Sequence, residues 1–175
     1  MPTGIDISRI TGAEFATIDR KRVQVFFQRF PGTNAASGIQ GLDFTVTIDG
    51  VQAASGTTPA DGKVEILLGA GEAAVLEILG SQYDVRLLSG ALHPVAELRG
   101  VQQRLNMLGY NAGPLETPAA GATPVQAATS QNQNQGTEQA IINFQSDNKS
   151  LFIDGIAGTQ TQPKLQQIVR SAGGE

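Results

Sequence analysis

The hydrophobic periodicity of this chain changes once, near residue 93, and this change constrains the fold more than any other feature of the sequence. Before it, apolar and polar residues alternate, as in GLDFTVTIDG at residues 41–50. Alternation is typical of β-strands that bury one face. After it, apolar residues recur at the three- and four-residue spacings of an amphipathic helix: Leu98, Val101, Leu105 and Leu108. The chain is therefore predicted to be α+β, with a β domain followed by a helical domain.

Residues 1–92 are predicted to form a small antiparallel β-sandwich of the Ig-like or transthyretin-like kind. Alternating runs occur in RVQVFFQRF, GLDFTVTIDG, DGKVEILLG, AAVLEIL and QYDVRLLSG, and turns containing glycine separate them at short intervals. Such spacing favours a sandwich over alternating β and α units. Asp49 and Gly50 are the residue types that a tight hairpin turn prefers.

Residues 93–175 are predicted to form three short helices. Gly100 weakens the first helix, which we expect to begin near Val101 and to stop at Gly109. Thr137 and Thr161 are expected to cap the second and third helices. Residues 117–136 are rich in Ala, Thr, Gln and Asn and contain one large aliphatic residue, so we expect a mobile surface loop there.

Composition argues against several classes of function. The 175-residue chain has no cysteine, a net charge of −4 and no basic region, so we expect no disulfide and no nucleic-acid partner. The short basic run from Arg20 to Arg22 is interpreted as a solvated strand edge. His93 is the single histidine, and neither HExxH nor GxSxG is present. We therefore expect no catalytic site, no metal and no cofactor, and a structural role for His93.

The N-terminal stretch MPTGIDISRITGAEF lacks the basic and apolar segments of a Sec signal peptide. Apolar runs stay well below ~18 residues, so we expect no membrane insertion. The expected localisation is cytoplasmic synthesis, followed by action in an assembled particle or at the cell envelope after non-classical export.

Two segments in the C-terminal half have similar sequences, GPLE…GTEQAIINFQ and LFIDGIAGTQTQPKLQQI. Each segment places an acidic residue in a turn, then a glycine, a threonine and a short apolar helix. We call the turn that leads into the helix of each segment the first and the second corner. Asp154 can accept bonds from its own turn, and Gly155 permits a positive φ angle. Gly158 is expected to allow a close approach between chain segments.

These strings resemble the peptidoglycan-binding domain of three short helices that accompanies cell-wall hydrolases and transpeptidases. The resemblance covers about residues 94–170 and is carried by Val101, Gln102, Leu105, Leu108, Gly109, Tyr110, Gly113, Thr137, Ala140, Ile141, Phe144, Gln145, Leu151, Ile153, Asp154, Gly155, Gly158, Thr161 and Leu165. It implies a non-catalytic module that binds peptidoglycan. The residues with a structural role in the motif are Gly109, Gly113, Thr137, Gly155, Gly158 and Thr161.

The polar groups around the two corners are the candidate peptidoglycan ligands: Tyr110, Glu116, Asn143, Gln145, Asp147 and Asp154. Phe144 is expected in the core, with Asn143 and Gln145 on the freer side of their helix. Two alternatives stay open, namely that Tyr110 packs in the core and that Asp154 only organises its turn.

The sequence departs from the family pattern mainly at the first corner. Glu116 stands where relatives have aspartate, with no glycine after it, and His93 stands where relatives often have aspartate. Twenty residues separate Glu116 from Thr137, against six between Asp154 and Thr161, which indicates an insertion of 14. An insertion at that position could reshape peptidoglycan binding or abolish it.

In its domain order, the chain is similar to small proteins that accompany contractile injection systems, including type VI secretion. This resemblance implies an accessory module that holds such a machine against peptidoglycan, with spike, baseplate or tail subunits as protein partners. The alternative is a purely structural adaptor, in which both domains contact proteins and wall binding has been lost.

Overall fold

The computed structural model describes residues 20–32, 37–87, 91–127 and 133–172. Within these ranges the chain forms six strands followed by three helices, which confirms the predicted α+β organisation. The elements are β1 (Lys21–Phe26), β2 (Asp43–Ile48), β3 (Val51–Thr57), β4 (Lys63–Leu68), β5 (Ala73–Ile78), β6 (Ser81–Arg86), α1 (Leu98–Met107), α2 (Gln135–Asp147) and α3 (Thr161–Ser171).

The six strands form a sandwich of two antiparallel sheets, as predicted. One sheet pairs β1 with β4, and the other has the order β3-β2-β5-β6. Apolar side chains of both sheets meet in one core: Val46, Val64, Ile66, Leu68, Ala74, Leu76 and Val85. The finer likeness to Ig or transthyretin domains and the boundary at residue 92 stay predictions.

Tight hairpins set the register of the four-stranded sheet. Asp49 and Gly50 both have positive φ angles, 48° and 81°, which is the conformation of the predicted Asp-Gly turn. Leu79 and Gly80 repeat this geometry between β5 and β6, with φ angles of 54° and 71°. The sequence predicts a glycine-containing turn at this position but places Leu79 in the preceding strand, because a leucine with positive φ is uncommon.

Helix α1 begins at Leu98, so the expected start near Val101 is wrong. Gly100 lies inside the helix because the preceding turn crosses it closely. A Cβ atom at Gly100 would lie 2.0 Å from the carbonyl oxygen of Pro94. The buried guanidinium of Arg104 holds this crossing together by donating to the carbonyl oxygens of His93, at 2.7 Å, and Gly100, at 2.9 Å. At the other end, Gly109 has a φ of 84° and ends the helix as predicted.

Neither threonine caps a helix as predicted. Helix α2 begins two residues before Thr137, and its N-cap is Asn134, whose side chain accepts the Thr137 amide proton at 2.8 Å. Helix α3 begins at Thr161 as expected, but its N-cap residue is Gln160 and no side chain caps it. Both threonine hydroxyls instead accept hydrogen bonds from the side-chain amides of buried glutamines, as described below.

Part of the 117–136 segment packs on the helical domain, so the expectation of a mobile loop throughout is wrong. Val125 accepts the Leu98 amide proton at 2.7 Å, and Ala127 donates to the carbonyl of Ala96 at 2.8 Å. Ala127 is fully buried in the helical core. The bond to Val125 provides a partner for the first N–H of α1, which a helix start otherwise leaves unpaired. Residues 128–132 lie outside the described ranges.

The three helices enclose a second core, separate from that of the sandwich. Its buried residues come from all three helices and from the segments between them: Val101, Leu105, Leu108, Tyr110, Ala112, Ala127, Ala140, Ile141, Phe144, Ala157, Leu165 and Val169. The domains also touch, because Gly32 donates its amide proton to the carbonyl of Leu108 at 2.7 Å. None of the three described helices has the length and apolar character of a membrane span.

Candidate functional site

Gln145 organises the second corner from inside the helical domain. Only 1% of its surface is exposed, so its expected place on the free side of α2 is wrong. Its side-chain amide donates to Asp154 Oδ1 at 2.9 Å and to the Ile156 carbonyl and Thr161 hydroxyl at 3.0 Å each. Its carbonyl oxygen accepts the amide protons of Asp154, at 3.1 Å, and Gly155, at 3.0 Å. Gln145 is therefore committed to the fold.

Asp154 also serves its own turn. Its carboxylate accepts the Ile156 amide proton at 2.8 Å, in addition to the bond from Gln145. Gly155 has a φ of 71°, as predicted for this turn. Gly158, in contrast, has nothing within 4 Å of an added Cβ, so its expected role in a close approach is wrong. The geometry supports the alternative in which Asp154 organises the corner.

The first corner repeats this arrangement with Gln102 in place of Gln145. The Gln102 amide donates to the Thr137 hydroxyl at 2.9 Å, and its carbonyl oxygen accepts the Glu116 amide proton at 2.6 Å. The Thr137 hydroxyl then donates to the Ala112 carbonyl at 2.9 Å. The sequence analysis missed Gln102 as a corner residue, although Gln102 and Gln145 both match the family pattern and both precede a motif threonine.

The two corners differ in their acidic residue. Asp154 folds its carboxylate onto its own turn, whereas Glu116 has a buried oxygen, Oε2, with no donor among the residues that the structure describes. The side-chain oxygen of Gln133, beside the N-cap of α2, is likewise buried without a described donor. The insertion therefore coincides with the corner whose polar groups are least satisfied.

Tyr110 and Asp147 form a hydrogen-bonded pair. The Tyr110 hydroxyl donates to Asp147 Oδ2 at 2.8 Å. The ring packs edge-to-face on Phe144, with centroids 5.6 Å apart, and the residue is only 4% exposed. Burial raises the pKa of the Tyr110 hydroxyl well above its usual range, and the neighbouring Asp147 carboxylate raises it further. Phe144 lies in the core as predicted, and so does the ring of Tyr110.

A pocket of about 450 Å³ opens over the Tyr110–Asp147 pair. We call it the Asp147 pocket, and both domains line it: Phe30, Pro31, Gly32, Ser37, Leu108, Tyr110, Phe144, Asp147, Asn148 and Ile168. Asp147 is exposed and Asn148 half-buried, so the pocket combines an apolar floor with accessible polar groups. Its volume lies within the range of about 300–1,000 Å³ that is common for ligand pockets.

The six candidate ligand residues do not form one site. Tyr110 meets Asp147 and Gln145 meets Asp154, as described above. Asn143 lies on the exposed face of α2, where it accepts a hydrogen bond from Gln139 at 3.0 Å, and Glu116 lies at the first corner. Among the described residues, no group of three or more His, Cys, Asp and Glu side chains could hold a metal ion.

Comparison with known proteins bears on the helical domain alone. No curated protein and no solved structure is similar enough to the chain to match it. Residues 95–165, which contain both corners and the Tyr110–Asp147 pair, match the model of one protein family. The part of the chain from α1 into α3 is therefore similar to the family described as "Putative peptidoglycan binding domain".

Proposed function

We propose that the helical domain binds peptidoglycan without catalysing a reaction on it, and so anchors the chain to the cell wall. The observation that carries this proposal is the family match over residues 95–165. The closed hydrogen-bond network around Gln145, and the similar one around Gln102, support it, because they give the domain a rigid frame.

The Asp147 pocket is the binding site that we propose. One carboxylate oxygen of Asp147 accepts the Tyr110 hydroxyl, and the other has no donor among the described residues. Peptidoglycan stem peptides and acetylated amino sugars present amide N–H groups, and many stem peptides carry an ammonium group. Such groups would donate a hydrogen bond to the second oxygen of the Asp147 carboxylate. The apolar floor of the pocket would pack against the alkyl parts of the ligand. Gln145 and Asp154 would then support the site without touching the ligand.

Sedimentation with purified insoluble peptidoglycan tests this assignment. Asp147→Asn keeps the size of the side chain and an acceptor for Tyr110 but removes the charge. We expect it to weaken binding about tenfold, since a charge-assisted hydrogen bond is worth roughly 1.5–3 kcal/mol. Asn143→Ala is the matched control on the exposed face of the same helix, and we expect it to bind like the wild type.

Two results would contradict parts of this proposal. If wild-type protein stays in solution at every peptidoglycan concentration, the domain does not bind the wall. If Asn143→Ala weakens sedimentation and Asp147→Asn does not, the wall lies on the outer face of α2 and the Asp147 pocket is not its site.

We also propose that the sandwich connects the wall-binding domain to protein subunits of a larger assembly, of the contractile injection kind. The resemblance in domain order supports this role. The purely structural adaptor remains the second candidate function. The packed insertion at the first corner favours it, since Ala127 and Val125 tie that loop to the base of α1.

A further inference from the structure

A large cleft lies between the sandwich and the helical domain, with a volume of about 1410 Å³. Its described lining has an unusual charge for a chain with 16 acidic and 12 basic residues. Five basic residues line it, and no acidic residue is among the described lining: Lys21, Arg22, Arg29, Arg86 and Arg104. We call it the basic cleft.

Three of these cations are available to a ligand. Lys21, Arg29 and Arg86 are exposed, and none of them forms a salt bridge with a described carboxylate. Arg22 lies 3.8 Å from Glu65 and is partly neutralised by it. Arg104 is 3% exposed and already donates to backbone carbonyls. The accessible positive charge of the cleft therefore comes mainly from the first three residues.

Strand β1 runs along the basic cleft, and one of its edges has no partner among the described residues. All six of its residues line the cleft, and β4 is its single partner among the described strands. No described backbone group bonds to β1 from the opposite side. An unpaired strand edge can accept another extended chain. Lys21 and Arg22 discourage a basic strand from pairing there but would favour an acidic one.

The walls of the cleft also contain apolar residues. Phe30 is 70% exposed, and Phe26 and Met107 are also exposed large apolar residues. Val25 and Leu87 add half-buried surface. A ligand that covers these walls needs large apolar side chains besides its negative charge. The short methyl and carboxylate groups of a peptidoglycan stem peptide are too small to cover these apolar residues.

We propose that the basic cleft binds an extended acidic segment of a partner protein, which adds as a strand to the free edge of β1. Its backbone would pair with β1, and six residues of strand span about 20 Å. Since side chains alternate in a strand, one face would present carboxylates to Lys21, Arg29 and Arg86 while the other packs apolar groups against Phe26 and Phe30.

Fluorescence anisotropy of the full chain with the labelled octapeptide ELEFEVEL tests this proposal. We expect saturable binding that weakens as salt is added, because exposed charges are screened. Arg29→Glu and Arg86→Glu should each weaken binding about tenfold or more, since they place like charges together. Lys149→Glu reverses an exposed cation outside the cleft and should leave binding unchanged.

A second peptide separates strand pairing from simple charge attraction. The same octapeptide, N-methylated at every second residue, keeps its charges but loses the amide protons on one edge. Two such peptides are made, one N-methylated at the odd-numbered residues and one at the even-numbered residues. If both bind as tightly as the unmodified peptide, or if the charge reversals have no effect, the proposal is wrong. It is also wrong if a single-stranded oligonucleotide of equal charge binds the cleft as tightly as the peptide. Wall sedimentation plays no part in these assays, so their outcome is independent of peptidoglycan binding.

Discussion

At the scale of single residues, two buried glutamines decide the shape of the helical domain. Gln102 and Gln145 each join one corner of the chain to the threonine at or near the start of the next helix. Each side chain supplies both a donor and an acceptor, which is what a turn with free amide protons and a nearby hydroxyl requires. Their burial is favourable because partners satisfy them on both sides.

Replacing Gln145 by alanine is predicted to destabilise the domain. The change leaves the amide protons of Asp154 and Gly155 without their acceptor, and an unsatisfied buried polar group costs about 1–3 kcal/mol. We expect a loss of at least ~2 kcal/mol in the free energy of unfolding, measured by chemical denaturation. Gln139→Ala removes an exposed glutamine of the same helix and should cost under ~0.5 kcal/mol. Equal losses in the two variants would contradict the proposed role.

Tyr110 is predicted to make stability depend on alkaline pH. Its pKa is higher in the folded state than in the unfolded chain, so the folded state favours the protonated hydroxyl. The resulting stabilisation is complete below the unfolded pKa of about 10 and is lost as pH rises above it. In denaturation curves between neutral pH and pH 11, Tyr110→Phe should therefore be less stable at neutral pH but lose less stability as pH rises. A slope identical to that of the wild type would count against this explanation.

The residue scale is also where sequence reasoning failed most clearly. Phe144 and Gln145 are neighbours on α2, and assigning one to the core placed the other on the free side. Both are buried because the helix contacts the apolar core with one side and the polar corner with the next. Hydrophobic periodicity identifies the apolar face of a helix. It cannot identify a polar side chain that is buried among hydrogen-bond partners.

At the scale of elements, α1 depends on contacts that local propensity does not describe. Glycine usually weakens a helix interior by ~1 kcal/mol relative to alanine. Here the turn at His93 and Pro94 crosses the helix so closely that any side chain at Gly100 would collide with backbone atoms. The position of strands, hairpin β2–β3 and three helices could be predicted from period and turn residues. The close contact between Gly100 and the turn at His93 and Pro94 could not be predicted. It involves backbone carbonyls, which leave no pattern of side chains in the sequence.

Gly100→Ala is accordingly predicted to destabilise α1 rather than to strengthen it. The new Cβ would meet the Pro94 carbonyl oxygen at 2.0 Å and the His93 carbonyl oxygen at 2.8 Å, so the backbone must shift. We expect a cost of at least ~2 kcal/mol in thermal or chemical unfolding. Gly158→Ala, where an added Cβ meets nothing within 4 Å, is the control and should be close to neutral. Stabilisation by Gly100→Ala would show that the crossing is not maintained.

The inserted segment is predicted to have a tolerant tip and an essential base. Residues 119–123 are exposed, whereas Ala127 is buried and donates its amide proton to the carbonyl of Ala96, just before α1. Replacing residues 119–123 by two glycines should leave the free energy of unfolding within ~0.5 kcal/mol of the wild type, since longer surface loops cost little. Ala127→Asp places an unpaired charge in the core and should destabilise by several kcal/mol. If both changes are neutral, the loop does not support α1.

At the scale of the whole molecule, the two domains have separate cores and a shared surface. The described cores have no residue in common, so we expect a change in one core to act mainly on its own domain. The Asp147 pocket and the basic cleft both lie where the domains meet. Such placement could not be predicted from the sequence, because it depends on the seating of Gly32 against the end of α1, and periodicity carries no information about that contact.

Matched cavities in the two cores are predicted to separate folding from wall binding. Leu76→Ala opens the sandwich core and Leu165→Ala opens the helical core, each at a fully buried leucine, at a cost of about 2–5 kcal/mol. By calorimetry, each variant should lower chiefly the unfolding transition of its own domain. Sedimentation with peptidoglycan, followed as temperature rises, should fail earlier for Leu165→Ala. If Leu76→Ala lowers both transitions equally, the domains unfold as one cooperative unit, and the contact between Gly32 and Leu108 belongs to an interface that is as strong as either core.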